Sequence, residues 1–150
     1  MTSRLGLVIF VIVLILAGLG WAITNSPDRN EMLLVEKATE KFFEKADLLN
    51  SSLIKSSPLP EFKETHSLTL EGQTDSQPQI IEIRVDGEVV ILTFLESDNE
   101  LSGQTMIFEP VVNEQQVLWK CLNGSVLLRY RSKHCQLGEA VDGESFKAVF

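Results

Sequence analysis

With 150 residues, a formal net charge of −8 and only two cysteines, the chain has room for one domain. Its acidity argues against nucleic acid or an anionic membrane surface as the partner of the domain as a whole. Two cysteines are too few to define a redox compartment by themselves.

The first element is apolar. Residues 5–23 are 19 positions without a charged or strongly polar side chain. As a helix they would span about 29 Å, close to the hydrocarbon thickness of a bilayer. Arg4 precedes the segment, and Asp28 and Glu31 follow it. The positive-inside bias therefore places residues 1–6 in the cytoplasm and the remainder across the membrane. An uncut signal anchor fits this length better than two competitors: a signal peptide cleaved after the small residues Gly20 and Ala22, and a buried helix apolar on all faces.

Thr24 to Asp28 caps or breaks that element, and Pro27 suits a first helical turn. Over 28–55 the residues Val35, Ala38, Phe42, Ala46, Leu49 and Leu53 recur at three- and four-residue steps, which predicts an amphipathic helix. Lys37, Glu40, Lys41, Glu44 and Lys45 form its solvated face. Ser56 to Pro60 stops the helix, and 56–78 reads as a polar connector with a short strand at 67–70. A connector of this length is a candidate contact surface.

After Pro78 the period becomes two. Ile81, Ile83 and Val85 share one face, Asp86-Gly87 is a hairpin turn, and 88–95 returns as a more apolar strand. A third strand is expected at 104–109, ending at Pro110. A fourth follows at 116–121, turning at Asn123-Gly124 into 125–131. The expected fold is α+β: one long helix, half membrane and half amphipathic, packed on a four-stranded antiparallel sheet over 79–135, with a tail at 136–150. With an export segment in front, the even cysteine count favours a disulfide between Cys121 and Cys135. Closing the 13 intervening residues is worth roughly 3 kcal/mol in the chain-entropy account.

Few residues offer chemistry. His66 and His134 lie in different contexts, and no His/Cys/Asp cluster has metal-ligand spacing. Ser125, Ser132 and His134 lack the strained elbow of a serine nucleophile and read as surface polar groups. Glu96, Asp98 and Glu100 alternate in a loop, as weak calcium ligands do, but solvated carboxylates are the default for such a loop. No cofactor is expected. Arg129, Arg131 and Lys133 alternate along the expected last strand and would project from one face, with Val126, Leu128 and Tyr130 on the other. An ordinary solvated face accounts for that pattern; docking to an acidic patch on a partner is the functional alternative.

These pieces together resemble the type IV pilins and pilin-like proteins. Val89-Val90-Ile91-Leu92-Thr93-Phe94 is similar to the family's second strand. Gly103-Gln104-Thr105-Met106-Ile107-Phe108-Glu109-Pro110 is similar to its glycine-to-proline stretch. Val117-Leu118-Trp119-Lys120-Cys121 resembles its Trp-x-Cys, and Tyr130 to Cys135 resembles its disulfide-closing end. The order and spacings match over roughly a third of the chain, with Ser132 where the family often has proline. At the N-terminus Gly6 sits where a leader would end, with Leu7 as the first mature residue, but Val11 takes the place of the family's glutamate. In the family that carboxylate pairs with a neighbouring subunit's terminal amine in a dry bundle, a pair Val11 cannot make.

The resemblance implies a non-enzymatic protein of the bacterial inner membrane, single-pass, with its N-terminus cytoplasmic and its C-terminal domain periplasmic. Its role would be that of a minor or atypical pilin-like subunit or pilus-assembly accessory, in adhesion, secretion or DNA uptake. Partners would be other pilin subunits or inner-membrane assembly proteins, with lipid contacted through 5–23. The alternative is an uncleaved, membrane-tethered periplasmic binding module that never enters a filament.

Overall fold

The computed structural model describes residues 27–55, 58–70, 77–95, 99–113 and 116–147. The chain divides after Asn30, and the hydrophobic core belongs to the second unit, Glu31–Phe150. Helix α1, Pro27–Ile54, opens the described region. Strands β1 (Lys63–Leu68), β2 (Gln79–Asp86), β3 (Val89–Phe94), β4 (Thr105–Asn113) and β5 (Gln116–Leu122) follow. The chain then makes a 3-10 turn (Leu128–Tyr130), a short helix α2 (Lys133–Leu137), a two-residue strand β6 (Ala140–Val141) and a last short helix α3 (Gly143–Lys147). The six strands form one antiparallel sheet in the order β1-β2-β3-β4-β5-β6, each beside its neighbour in sequence.

The expected stripe is the buried face of α1. Val35, Ala38, Phe42, Ala46 and Leu49 are all enclosed, joined by Leu34 and Phe43, while Leu53 is half-buried. They face the inward row of the sheet: Ile81 and Ile83 from β2, Val90, Leu92 and Phe94 from β3, Met106 and Phe108 from β4, Val117 and Trp119 from β5. Phe42 stacks on Phe108 with ring centroids 4.0 Å apart and meets Trp119 edge-on at 5.1 Å. The Trp119 indole N–H donates to Asn50 Oδ1 at 3.0 Å, which satisfies the one polar atom this ring brings into the core. Buried Thr39 is satisfied locally, its hydroxyl donating to the Val35 carbonyl at 2.7 Å.

The charged face of α1 is tied at several points. Lys41 pairs with Glu44 at 2.7 Å, Lys45 reaches Glu64 on β1 at 2.8 Å, and Lys37 donates to the Thr69 carbonyl at 2.7 Å. The hydrogen bond from Lys45 holds the Glu64 carboxyl below its ordinary range. Partial burial, reinforced by Glu40, pushes Glu36 the other way.

The structure corrects the expected architecture in four places. The sheet has six strands, not four, because the connector contributes β1 and the tail contributes β6. β1 begins four residues before the strand expected at 67–70, and it pairs with β2 from Lys63↔Arg84 to Leu68↔Gln79. The third strand does not stop at Pro110. β4 runs on to Asn113, and pairing with β3 ends at Val90↔Phe108, so Pro110 sits where β4 has a partner only on the β5 side, opposite Trp119. The strand expected at 125–131 is replaced by bends and a 3-10 turn. As for a helix with a membrane half, no helix among the described residues is long and apolar enough to cross a bilayer. Residues 5–23, with Gly6, Leu7 and Val11, lie outside the described residues.

The described part of the tail, 136–147, is anchored to the sheet. β6 pairs with β5 through Trp119↔Val141 and Lys120↔Ala140. Asp142 Oδ1 accepts from the Ser145 amide at 2.6 Å at the start of α3, and that bond holds the Asp142 carboxyl below the usual carboxylate range.

Candidate functional site

The stretch after β5 folds into a closed corner built by backbone proximity, a disulfide and a buried cation. Gly124 lies against the start of β4; a Cβ on it would fall onto the Thr105 carbonyl, so only glycine allows this approach. Thr105 N–H then donates to Ser125 Oγ at 2.7 Å, and Val126 N–H donates to the Thr105 carbonyl at 3.1 Å. Val126 and Tyr130 turn inward, whereas Leu127 and Leu128 are 49% and 59% exposed.

Arg131 closes the loop from inside. Its Nε donates to the Val126 carbonyl at 2.8 Å, Nη2 to the Gly124 carbonyl at 2.7 Å and Nη1 to the Leu122 carbonyl at 3.4 Å. The planar guanidinium thus ties two carbonyls of the irregular segment, those of Gly124 and Val126, to the carbonyl at the end of β5. Burial lowers its pKa from the ordinary arginine value. Ser132 caps α2 by accepting from the Cys135 amide at 3.3 Å, and Gly138, with φ 68°, ends that helix in the left-handed region. Cys135 is buried and disulfide-bonded to Cys121 of β5, with Cα atoms 5.0 Å apart. The expected disulfide is present.

Outside the loop, the Tyr130 hydroxyl donates to Glu100 Oε2 at 3.0 Å and accepts from Arg129 Nη2 at 2.7 Å. The Arg129 guanidinium also lies 4.7 Å from the Tyr130 ring centroid.

The three cations expected on one strand face therefore do separate things. Arg129 is exposed beside Tyr130 and Glu100, Arg131 is buried among carbonyls, and Lys133 is exposed in the first turn of α2. The alternation that suggested a stripe does not survive because no strand forms there. Replacing Arg131 by methionine keeps the aliphatic volume but removes the donor to the Gly124 and Val126 carbonyls. The expected cost is about 2–4 kcal/mol, read as a lower midpoint in urea, with lysine rescuing only part of it.

The remaining candidates that the structure describes are engaged separately. His134 Nδ1 and Glu139 Oε2 are 2.8 Å apart, and His66 Nε2 lies 3.3 Å from Glu64. Ser125 is engaged by Thr105 and Ser132 by the α2 cap, so no hydroxyl here is aligned on a histidine. Glu96 and Asp98 lie outside the described residues, while Glu100 is held by Tyr130 and Arg129. Among the described residues no group of three or more His, Cys, Asp or Glu side chains is placed to hold a metal ion. Sequence reasoning missed the Glu100–Tyr130–Arg129 contact and the Gly124–Thr105 approach; Asn123-Gly124 signalled a turn but not what the turn would touch.

At the other end of the sheet, a half-open groove of about 420 Å³ lies between the C-terminal turn of α1, the β2–β3 hairpin and the second half of β4. Leu53, Pro58, Leu59, Pro110 and Val112 give it apolar walls, and Gly87, Glu88 and Glu109 complete the lining. Comparison with known proteins finds no family model, no curated protein and no solved structure that matches the chain.

Proposed function

We propose that the protein works by assembly and protein contact, as a minor or atypical type IV pilin-like subunit or a pilus-assembly accessory, tethered through residues 5–23. One observation carries this reading. The four separate stretches that resemble pilins send their apolar side chains into a single core: Val90, Leu92 and Phe94; Met106 and Phe108; Trp119; Tyr130 and Cys135. Residues far apart in sequence and similar to the family in order and spacing thus form one physical unit, closed by the Cys121–Cys135 bridge. Arg131 closes the loop, Ser132 caps α2 and Tyr130 bonds Glu100.

A second reading has a sequence observation behind it. Val11 stands where the family's assembly-guiding glutamate belongs, and this favours a permanently tethered periplasmic module that serves pilus machinery without polymerising.

Cross-linking in living cells followed by isolation of the full chain is expected to recover pilin subunits or inner-membrane assembly proteins. Recovery of neither overturns both readings. The intact mass from membranes then separates them. A chain beginning at Leu7, and only when the prepilin peptidase is present, identifies a processed subunit; one beginning at Met1 or Thr2 identifies the tether.

A further inference from the structure

We propose that residues 140–147 form a hinged strap that keeps the outer edge of β5 from pairing with another chain. The sheet ends in two unlike edges. On one side lies β1, Lys-Glu-Thr-His-Ser-Leu, which is polar or charged as far as Leu68 and so discourages strand addition by its own side chains. On the other side the last long strand is β5, Gln-Val-Leu-Trp-Lys-Cys-Leu, with a single charge. It is apolar on both faces, with Val117 and Trp119 buried inward and Leu118 on the opposite side. An edge of that composition is a ready template for a foreign strand. This is the edge that the chain covers with its own end. β6 pairs with Trp119 and Lys120, Cys121 is bridged to Cys135, and the Leu122 carbonyl accepts from Arg131 at 3.4 Å. At the start of the same strand, Asp142 Oδ2 accepts from the Gln116 side chain at 3.3 Å.

The cover has two parts of unequal strength. The corner is fixed by the disulfide and by buried Arg131. The strap beyond it is held by little. Gly138, with φ 68°, turns the chain between the two in a conformation that other residues rarely adopt, and Glu139 stays beside the hinge with His134 at 2.8 Å. β6 is only two residues long. Its Val141 is half-buried against the core, and no described side chain from 140 to 145 is fully enclosed. Gly143 lies on the Phe43 ring of α1, so close that a Cβ there would come within 3.3 Å of it. The strap thus closes the flank between sheet edge and helix with very little buried apolar surface. Such a segment opens at a smaller cost than the strands beneath it, pivoting at Gly138 while the disulfide keeps the corner seated. Opening bares the backbone of Trp119 and Lys120 and joins them to Gln116, Val117 and Leu118 as one continuous free edge.

The test combines hydrogen exchange and sedimentation of the full chain in detergent micelles. In the parent, the amides of 140–147 are expected to exchange about a hundredfold or more faster than those of β2 to β4. Exchange of both regions at one rate overturns the proposal. Val141→Ser with Asp142→Ala loosens the strap: protection at 140–147 falls about tenfold further while β2 to β4 keep theirs, and the chain associates beyond the parent's level as its concentration rises. Loss of protection in β2 to β4 in this variant shows that the strap belongs to the core. A loosened strap without added association shows that it guards nothing, and either result overturns the proposal. Adding Leu118→Lys places a charge on the bared edge and is expected to return association to the parent's level with the strap still open. Association that survives this charge runs through another surface and overturns the proposal as well.

Discussion

Replacing Phe42 by alanine is expected to lower the stability of the domain by about 3–5 kcal/mol, the largest single-residue effect in the core. Phe42 has no exposed surface and occupies the junction of the two layers. Its ring stacks on Phe108 of β4 at 4.0 Å, meets Trp119 of β5 edge-on at 5.1 Å and touches Phe43 at 4.9 Å. Truncation removes the ring's own burial and leaves a void whose walls are other aromatic rings on a rigid sheet, which cannot collapse to fill it. For a domain of this size such a loss lowers the melting temperature by at least about 10 °C. Phe42→Leu, which keeps most of the volume, is expected to cost less than half as much. Equal melting temperatures for the alanine variant and the parent would mean that α1 does not seat on the sheet through this ring.

Removing the disulfide by Cys121→Ala and Cys135→Ala together is expected to cost about 3 kcal/mol, the value for a closed loop of this length. The cost is read as a lower denaturation midpoint and as loss of the difference between oxidised and reduced parent protein. The corner itself is expected to hold its place, because Arg131, Ser125 and the Ser132 cap fasten it independently of the bridge. Proteolysis within 123–134 would therefore follow global unfolding and not precede it. Preferential cutting of that segment in the folded double variant would show that the bridge, and not the guanidinium, organises the loop.

The helix and the middle of the sheet were legible from periodicity because their burial is one-sided. The three- and four-step stripe of α1 and the two-step alternation of β2 each have one face on the core. The hairpin at Asp86-Gly87 was legible for a local reason, and Gly87 has the expected positive φ of 65°. β1 was not legible at its true bounds. Lys-Glu-Thr-His-Ser-Leu has almost no apolar pattern, and it is a strand because β2 offers it a ladder and Lys45 offers Glu64 a charge. The segment 125–131 failed in the opposite sense. Its alternation is real in the sequence, yet Leu128 is exposed, Arg131 is buried, and the backbone follows Gly124, Thr105 and the disulfide instead. Long-range constraints of that kind leave no period to read. The candidate site was thus half visible: its cysteines could be named from sequence, while the buried role of Arg131 and the partnership of Glu100 with Tyr130 depend on folding.

The strict neighbour-to-neighbour order of the sheet also has a kinetic meaning. From β1 to β5 each pair of adjacent strands is joined by a short or moderate connection, so that part of the sheet can form by successive hairpins. More distant encounters are needed for docking of α1, through Phe42 and Asn50, onto β4 and β5, for the return of β6 to β5, and for seating the corner on Thr105 and Glu100. The two cysteines are 14 positions apart in sequence, so they also meet without a distant encounter. Because the chain has no third cysteine, neither can mispair within it, whatever the order in which bridge and sheet form.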